Sequence, residues 1–228
     1  MKNLIWLLLL LVTSTSCKEE IPDPVVNTID TPTWKYLALG DSYTIGESVA
    51  ETERWPVVLT ERLRTNGGQL EDADIIATTG WTTGNLISAI DFQQPTEDYD
   101  LVSLLIGVNN QFQGRSLAEF ETQFEELLQT SIRLAKGDTS RVFVVSIPDY
   151  GYTPFGQSNQ PAISAEIDIF NAASEEITQT YGIRYFNITP ISREAFDAPG
   201  YVASDGLHPS GFQYGLWVDL MYEGVREM

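Results

Sequence analysis

From residue 34 to the carboxyl end, short apolar runs of β-type residues alternate with longer stretches whose apolar residues recur at helical spacing. This order limits the fold more than any other feature, because a strand that returns parallel to its predecessor needs a crossover, and a helix supplies it. The expected strands are residues 36–39, ending at Gly40; 75–77, followed by Gly80; 101–106, ending at Gly107; 142–147, stopped by Pro148; and 183–186. One expected helix covers 55–64, with Val58, Leu59 and Leu63 in register and Asn66-Gly67-Gly68 as its stop. The clearest covers 116–135. There Ser116 and Glu119 read as a capping box, Leu117, Phe120, Phe124, Leu127, Leu128 and Ile132 share one face, and Gly137 ends the run. Ile167, Phe170, Ile177 and Tyr181 mark another helix, and Gly211–Arg226 a last one. Five such strands with amphipathic helices between them predict an α/β fold: a parallel sheet covered on both faces. No period of 20–50 residues repeats, which excludes a solenoid.

The first 33 residues follow a different pattern. Met1-Lys2-Asn3 is a short basic start, residues 4–12 are an unbroken apolar run, and Thr13-Ser14-Thr15-Ser16 leads to Cys17. A helical span of a bilayer needs about 20 apolar residues, so this run is too short to cross one. A buried strand or helix would fit the run alone, but the order of the parts is that of a secretory signal with a small-residue cleavage site. Cys17 is the only cysteine, so no intrachain disulfide is possible. It resembles the lipidated cysteine of bacterial lipoproteins, and Lys18-Glu19-Glu20 resembles a lipoprotein surface-export signal. That resemblance implies an exported protein held to the bacterial outer membrane, on its periplasmic face or at the cell surface, by lipid on Cys17. Pro22, Pro24 and Pro32 make the following stretch an extended tether. The expected organisation is a signal peptide over 1–16, the lipidated Cys17 and tether over 17–33, and one folded domain over 34–228. Without residues 1–16 the chain carries 12 basic against 32 acidic residues. Such a surface repels phosphate backbones and argues against nucleic-acid binding.

In open parallel sheets, chemistry gathers at the carboxyl ends of the strands. Three such ends here are polar: Gly40-Asp41-Ser42-Tyr43-Thr44, Thr79-Gly80-Trp81 and Gly107-Val108-Asn109-Asn110. A fourth polar group, Ser204-Asp205-Gly206-Leu207-His208-Pro209, precedes the last helix. Acyl transfer needs a hydroxyl activated by a base, an imidazole fixed by a carboxylate, and N–H donors aimed at the oxyanion. Ser42, His208, Asp205 and Asn109 are residues of those types. His208 is the only histidine, so no other imidazole can be the base. Asp205 lies three residues earlier, within reach of a short turn. Gly40 and Gly80 allow tight turns that bring backbone N–H groups near a ligand. Taken singly, each block has a plainer reading: a strand-to-helix turn with Ser42 as cap, a turn at Gly107-Val108-Asn109, a structural histidine beside Pro209. Their joint occurrence at strand ends favours the chemical reading.

These four blocks resemble the GDSL/SGNH hydrolases. Gly40-Asp41-Ser42-Tyr43-Thr44-Ile45-Gly46 is similar to that family's nucleophile block, with Tyr43 in place of the usual Leu. Gly80 falls where the second-block Gly is expected. Gly107-Val108-Asn109 resembles the third block and Asp205-Gly206-Leu207-His208-Pro209 the last. The resemblance implies a three-layer α/β/α sandwich around a central five-stranded parallel sheet, flavodoxin-like in architecture. It further implies a Ser42–His208–Asp205 triad, an oxyanion hole made by the backbone N–H of Ser42 and Gly80 with the Asn109 amide, and a structural role for Asp41. Two departures are Asn110, where the family often has Asp, and the Thr79-Gly80-Trp81-Thr82-Thr83 context.

The expected activity is hydrolysis of carboxylic esters through an acyl-enzyme, with no metal or organic cofactor required. O-acyl, notably acetyl, groups on carbohydrate are the first substrate candidates. A lysophospholipase or short-chain lipase is the alternative, with Trp81 and Tyr43 either lining an acyl pocket or simply packing beside the sheet. A catalytically silent glycan-binding lipoprotein and an acyltransferase to an alcohol acceptor are the rival readings of the same residues. Gly-x-Ser-x-Gly is absent because Thr44 occupies the second glycine's place. There is no P-loop, no Gly-x-Gly-x-x-Gly and no EF-hand spacing, and a histidine metal cluster is impossible with one His.

Overall fold

The computed structural model describes residues 33–228. The expected signal peptide, the lipidated Cys17 and nearly all of the tether therefore lie outside the described residues. Five parallel strands, β1 (Tyr36–Gly40), β2 (Asp74–Ala77), β3 (Leu101–Leu105), β4 (Val142–Val145) and β5 (Arg184–Phe186), form one sheet in the order β2-β1-β3-β4-β5. β1, β3 and β4 are buried along their whole length, as strands covered on both faces must be. β2 and β5 are the edges and begin exposed.

The helices are α1 (Ser42–Ile45), α2 (Trp55–Thr65), α3 (Thr83–Gln93), α4 (Val108–Phe112), α5 (Leu117–Leu134), α6 (Gln160–Thr180), α7 (Thr189–Arg193) and α8 (Gly211–Arg226). α2 and α8 pack together on one face of the sheet, where Trp55 meets Phe143 edge-on and Gly224 leaves room for the Phe186 ring. On that face the Tyr36 hydroxyl is satisfied by Ser103 at 2.8 Å, which explains a serine inside a buried strand. α3, α5 and α6 line up on the other face. Among the described residues no helix is long and apolar enough to cross a membrane.

Three local details differ from the sequence expectations. β4 stops at Val145 because the Asn171 amide on α6 takes both backbone groups of Ile147, at 2.8 and 2.9 Å, in place of a strand partner. The capping box of α5 is half made: Ser116 accepts from the Glu119 N–H at 3.1 Å, while the Glu119 carboxylate faces Arg115 at 3.9 Å. Helix α3 fills the stretch between β2 and β3 that carries no clear apolar stripe. Thr82 and Asn85 cap it reciprocally, and only Thr83, Leu86 and Ile90 are buried.

Register fixes where the site forms. Gly40 pairs with Ala77 on one side and Leu105 on the other, so three strands end level. The chain leaves β1 for β2 on one flank, and β3 then returns to the opposite flank of β1. The loops after these strands consequently diverge around a crevice at the sheet's carboxyl edge.

Candidate active site

The first loop is set by close packing. A Cβ on Gly40 would lie 2.2 Å from the Thr44 hydroxyl oxygen and 2.6 Å from the Leu105 carbonyl, so only glycine lets α1 fold back onto the end of β1. Asp41, not Ser42, caps α1: its Oδ1 accepts the Tyr43 N–H at 3.0 Å. Ser42 is then the first helical residue, and its N–H has no acceptor within the helix.

Asp41 is wholly buried, and among the described residues its Oδ2 has no partner. Burial pushes its carboxyl up to about 7, against the lowering effect of the backbone N–H bonds. In the unfolded chain the group ionises near its ordinary value of 3.8, while in the folded chain it stays protonated to about 7. The stability it allows is fully present at low pH and is lost as pH rises between those values, by about 4 kcal/mol in all. Asp41→Asn, which keeps the capping oxygen and cannot ionise, is expected to lack this component. Urea unfolding of the native protein and the variant at pH 4 and pH 8 measures the difference, and parallel pH dependences would refute it.

The last loop brings a carboxylate to the imidazole. His208 Nδ1 and Asp205 Oδ2 are 2.6 Å apart. Asp205 Oδ1 accepts from the Leu207 and His208 N–H groups at 2.9 and 3.0 Å, and Oδ2 also accepts from the Ser48 hydroxyl at 2.7 Å. Partial burial alone would raise Asp205, but these donors outweigh it, Ser48 foremost, and hold the carboxyl at about 2. The loop is pinned by Ala203 N–H to the His208 carbonyl at 2.7 Å and by Ser210 N–H to the Tyr201 carbonyl at 2.8 Å. The Tyr43 ring meets the imidazole edge-on, with centroids 5.6 Å apart. With Nδ1 engaged by Asp205, the lone pair of a neutral ring sits on Nε2.

The two middle loops carry donors. Gly80 has φ +85°, a backbone that favours glycine. Asn109, on α4, is oriented by its amide bond to the Trp81 carbonyl at 2.9 Å, and Gln113 reaches the Gly80 carbonyl at 3.3 Å. Asn110 is structural: its amide binds the Thr83 N–H and hydroxyl at 3.0 and 2.7 Å and so starts α3.

Ser42, Gly80, Asn109 and His208 all border one cavity of about 120 Å³. Asp205 stands behind His208. No direct hydrogen bond joins Ser42 to His208, although both face the same space and are only 4% and 8% exposed. Tyr43 does both things open to it from sequence, lining the cavity and packing into the core. Trp81 does only the second: it packs against the core while its carbonyl takes Asn109. The apolar wall is made instead by Phe112, Tyr150, Phe155 and Leu207. Phe112, Tyr150 and Phe155 touch one another with ring centroids 6.1–6.3 Å apart. Tyr150 follows the end of β4, where the strand-end rule points to it. Phe112 and Phe155 have no such signal.

The parallel sheet, its two helical layers and this constellation at the strand ends define an ester hydrolase of the three-layer α/β type. Residues 38–215 match the model of the GDSL-like lipase/acylhydrolase family, and the chain belongs to that family. No curated protein sequence matches it significantly. Among solved structures it is similar to TesA (14% identity, TM-score 0.68, covering 85% of this chain and 98% of that one). It is also similar to the acetyl xylan esterase AlAXEase (17% identity, TM-score 0.67, covering 84% and 99%). A third is a variant of Axe2, an acetyl-xylooligosaccharide esterase from Geobacillus stearmophilus (18% identity, TM-score 0.65, covering 84% and 94%). At these identities the likeness concerns the fold.

Proposed function

We propose that this enzyme is a serine esterase for short acyl groups, foremost O-acetyl groups on carbohydrate. Ser42 attacks the ester carbonyl while His208 Nε2 takes its proton, and Asp205 stabilises the imidazolium. The oxyanion is held by the N–H groups of Ser42 and Gly80 and by the Asn109 amide. His208 then protonates the leaving alcohol. Water, deprotonated by the same imidazole, releases the acid and restores Ser42. The observation that carries this reading is the 2.6 Å pair of His208 and Asp205, opening with Ser42 on one cavity. The Ser42–His208 hydrogen bond forms as substrate orders the site; such bonds are often long in the free enzyme. The reading extends to an exported enzyme anchored through lipid on Cys17.

The short-acyl preference rests on the free space beside Ser42: the cleft offers about 120 Å³, which suits an acetyl group or a chain a few carbons longer. The names of AlAXEase and Axe2 agree with the carbohydrate part. A second reading, a lysophospholipase or short-chain lipase, is favoured by Phe112 and Phe155, which are 57% and 54% exposed at the rim and offer apolar surface to a longer chain. p-Nitrophenyl esters of graded length, acetylated xylo-oligosaccharides and lysolipids separate the two. On the proposed reading kcat/KM is highest for acetate to butyrate and falls at least tenfold by octanoate, and the acetylated sugar is turned over. A maximum at octanoate or on lysolipid supports the second reading instead.

A further inference from the structure

We propose that Ser48 is a positioning residue, whose hydroxyl fixes the Asp205 carboxylate against the His208 ring. The inference rests on the roles given above to Asp205 and His208. Ser48 Oγ donates at 2.7 Å to Oδ2, the oxygen that also meets His208 Nδ1. Every other hydrogen bond to Asp205 comes from its own turn, from Leu207 and His208. Among the described residues Ser48 is thus the one outside hold on the carboxylate, reaching across 157 positions in sequence from the nucleophile's side.

The backbone at Ser48 supports a dedicated role. Its φ is +66°, in the left-handed region. Among the described residues the other two non-glycine residues with positive φ sit at helix ends, Gln94 as the C-cap of α3 and Lys136 just past the C-cap of α5. Ser48 lies beyond the end of α1, which Gly46 already closes. Glycine would meet the conformation without strain, so what serine adds is its hydroxyl. The turn itself is fastened to the nucleophile, since Gly46 and Glu47 both give their N–H to the Ser42 carbonyl at 3.0 Å. Glu47 takes the Thr79 hydroxyl beside Gly80. One short turn after Ser42 therefore holds both the oxyanion loop and the Asp205 loop. Because no direct bond joins Ser42 to His208, this link helps set their spacing.

Ser48→Gly tests the idea, because it removes the hydroxyl and suits the backbone. The expected variant keeps its Tm within a few degrees and its KM, and loses about tenfold in kcat, the scale of one hydrogen bond to a charged group. The single histidine gives a second readout without assignment: its low-field Nδ1–H proton resonance should broaden or move upfield in Ser48→Gly. In an Asp205→Asn background the same substitution should cost nothing further, as expected for a residue that acts through Asp205. A kcat within twofold of native overturns the proposal. So does an equal loss in the Asp205→Asn background, or a loss that only follows falling Tm. If the native protein proves not to be an esterase, the enzymatic reading fails, while the resonance still reports whether Ser48 holds Asp205 on the ring.

Discussion

Ser42→Ala is expected to lower kcat toward p-nitrophenyl acetate by about 10⁶-fold, the scale seen when a serine nucleophile acting in concert with its base is removed. The variant should fold as the native chain does. Asp41 supplies the cap of α1, the Ser42 side chain has no hydrogen bond in the described structure, and the small hydroxyl fills little volume. Its removal therefore leaves the turn, Gly40 packing and the cavity wall in place. Equal Tm with turnover lost is the expected pair of results. Turnover within tenfold of native in the folded variant would reject Ser42 as nucleophile.

Asp205→Asn is expected to cost about 10⁴-fold in kcat. The asparagine oxygen can still accept the Leu207 and His208 N–H groups, so the turn survives. Its amide nitrogen then faces His208 Nδ1, where a donor meets the atom that should itself donate. The neutral ring adopts the other tautomer, Nε2 carries the proton, and no lone pair faces Ser42. The Ser48 hydroxyl also loses its charged acceptor. The measurement is kcat at a pH where the native rate is maximal, with Tm as control. A loss below tenfold would mean that Asp205 does not set the imidazole's state.

The fold was legible where burial acts on both faces of an element. β1 reads as an apolar run, and β3 as one interrupted only by Ser103, because helices cover each side, and α8 is bounded as expected because Ser210 caps it from the sequence-adjacent position. α3 was not legible. Gly84, Asn85 and Ser88 blur its stripe, and part of what starts it is Asn110, which arrives from the next strand end. The site residues named from sequence were those whose chemistry admits few residue types, with one histidine removing any choice of base. Phe112, the last residue of α4, and Phe155, in the loop after β4, owe their place to how those two segments meet, which no spacing encodes. Of the two readings open for Trp81, pocket wall or packing beside the sheet, the structure takes the second, and spacing alone does not choose between them. Ser48 carries no signal in the sequence, because its partner stands 157 positions away.

On the proposed mechanism Ser42 is the activated nucleophile of this cavity. Intact-mass analysis after incubation with a fluorophosphonate, followed by peptide mapping, is the decisive measurement. One phosphonyl adduct per chain is expected, on Ser42, formed faster in the native protein than in Asp205→Asn. A folded, ester-free protein that takes up no label, or takes it on another residue, would contradict it.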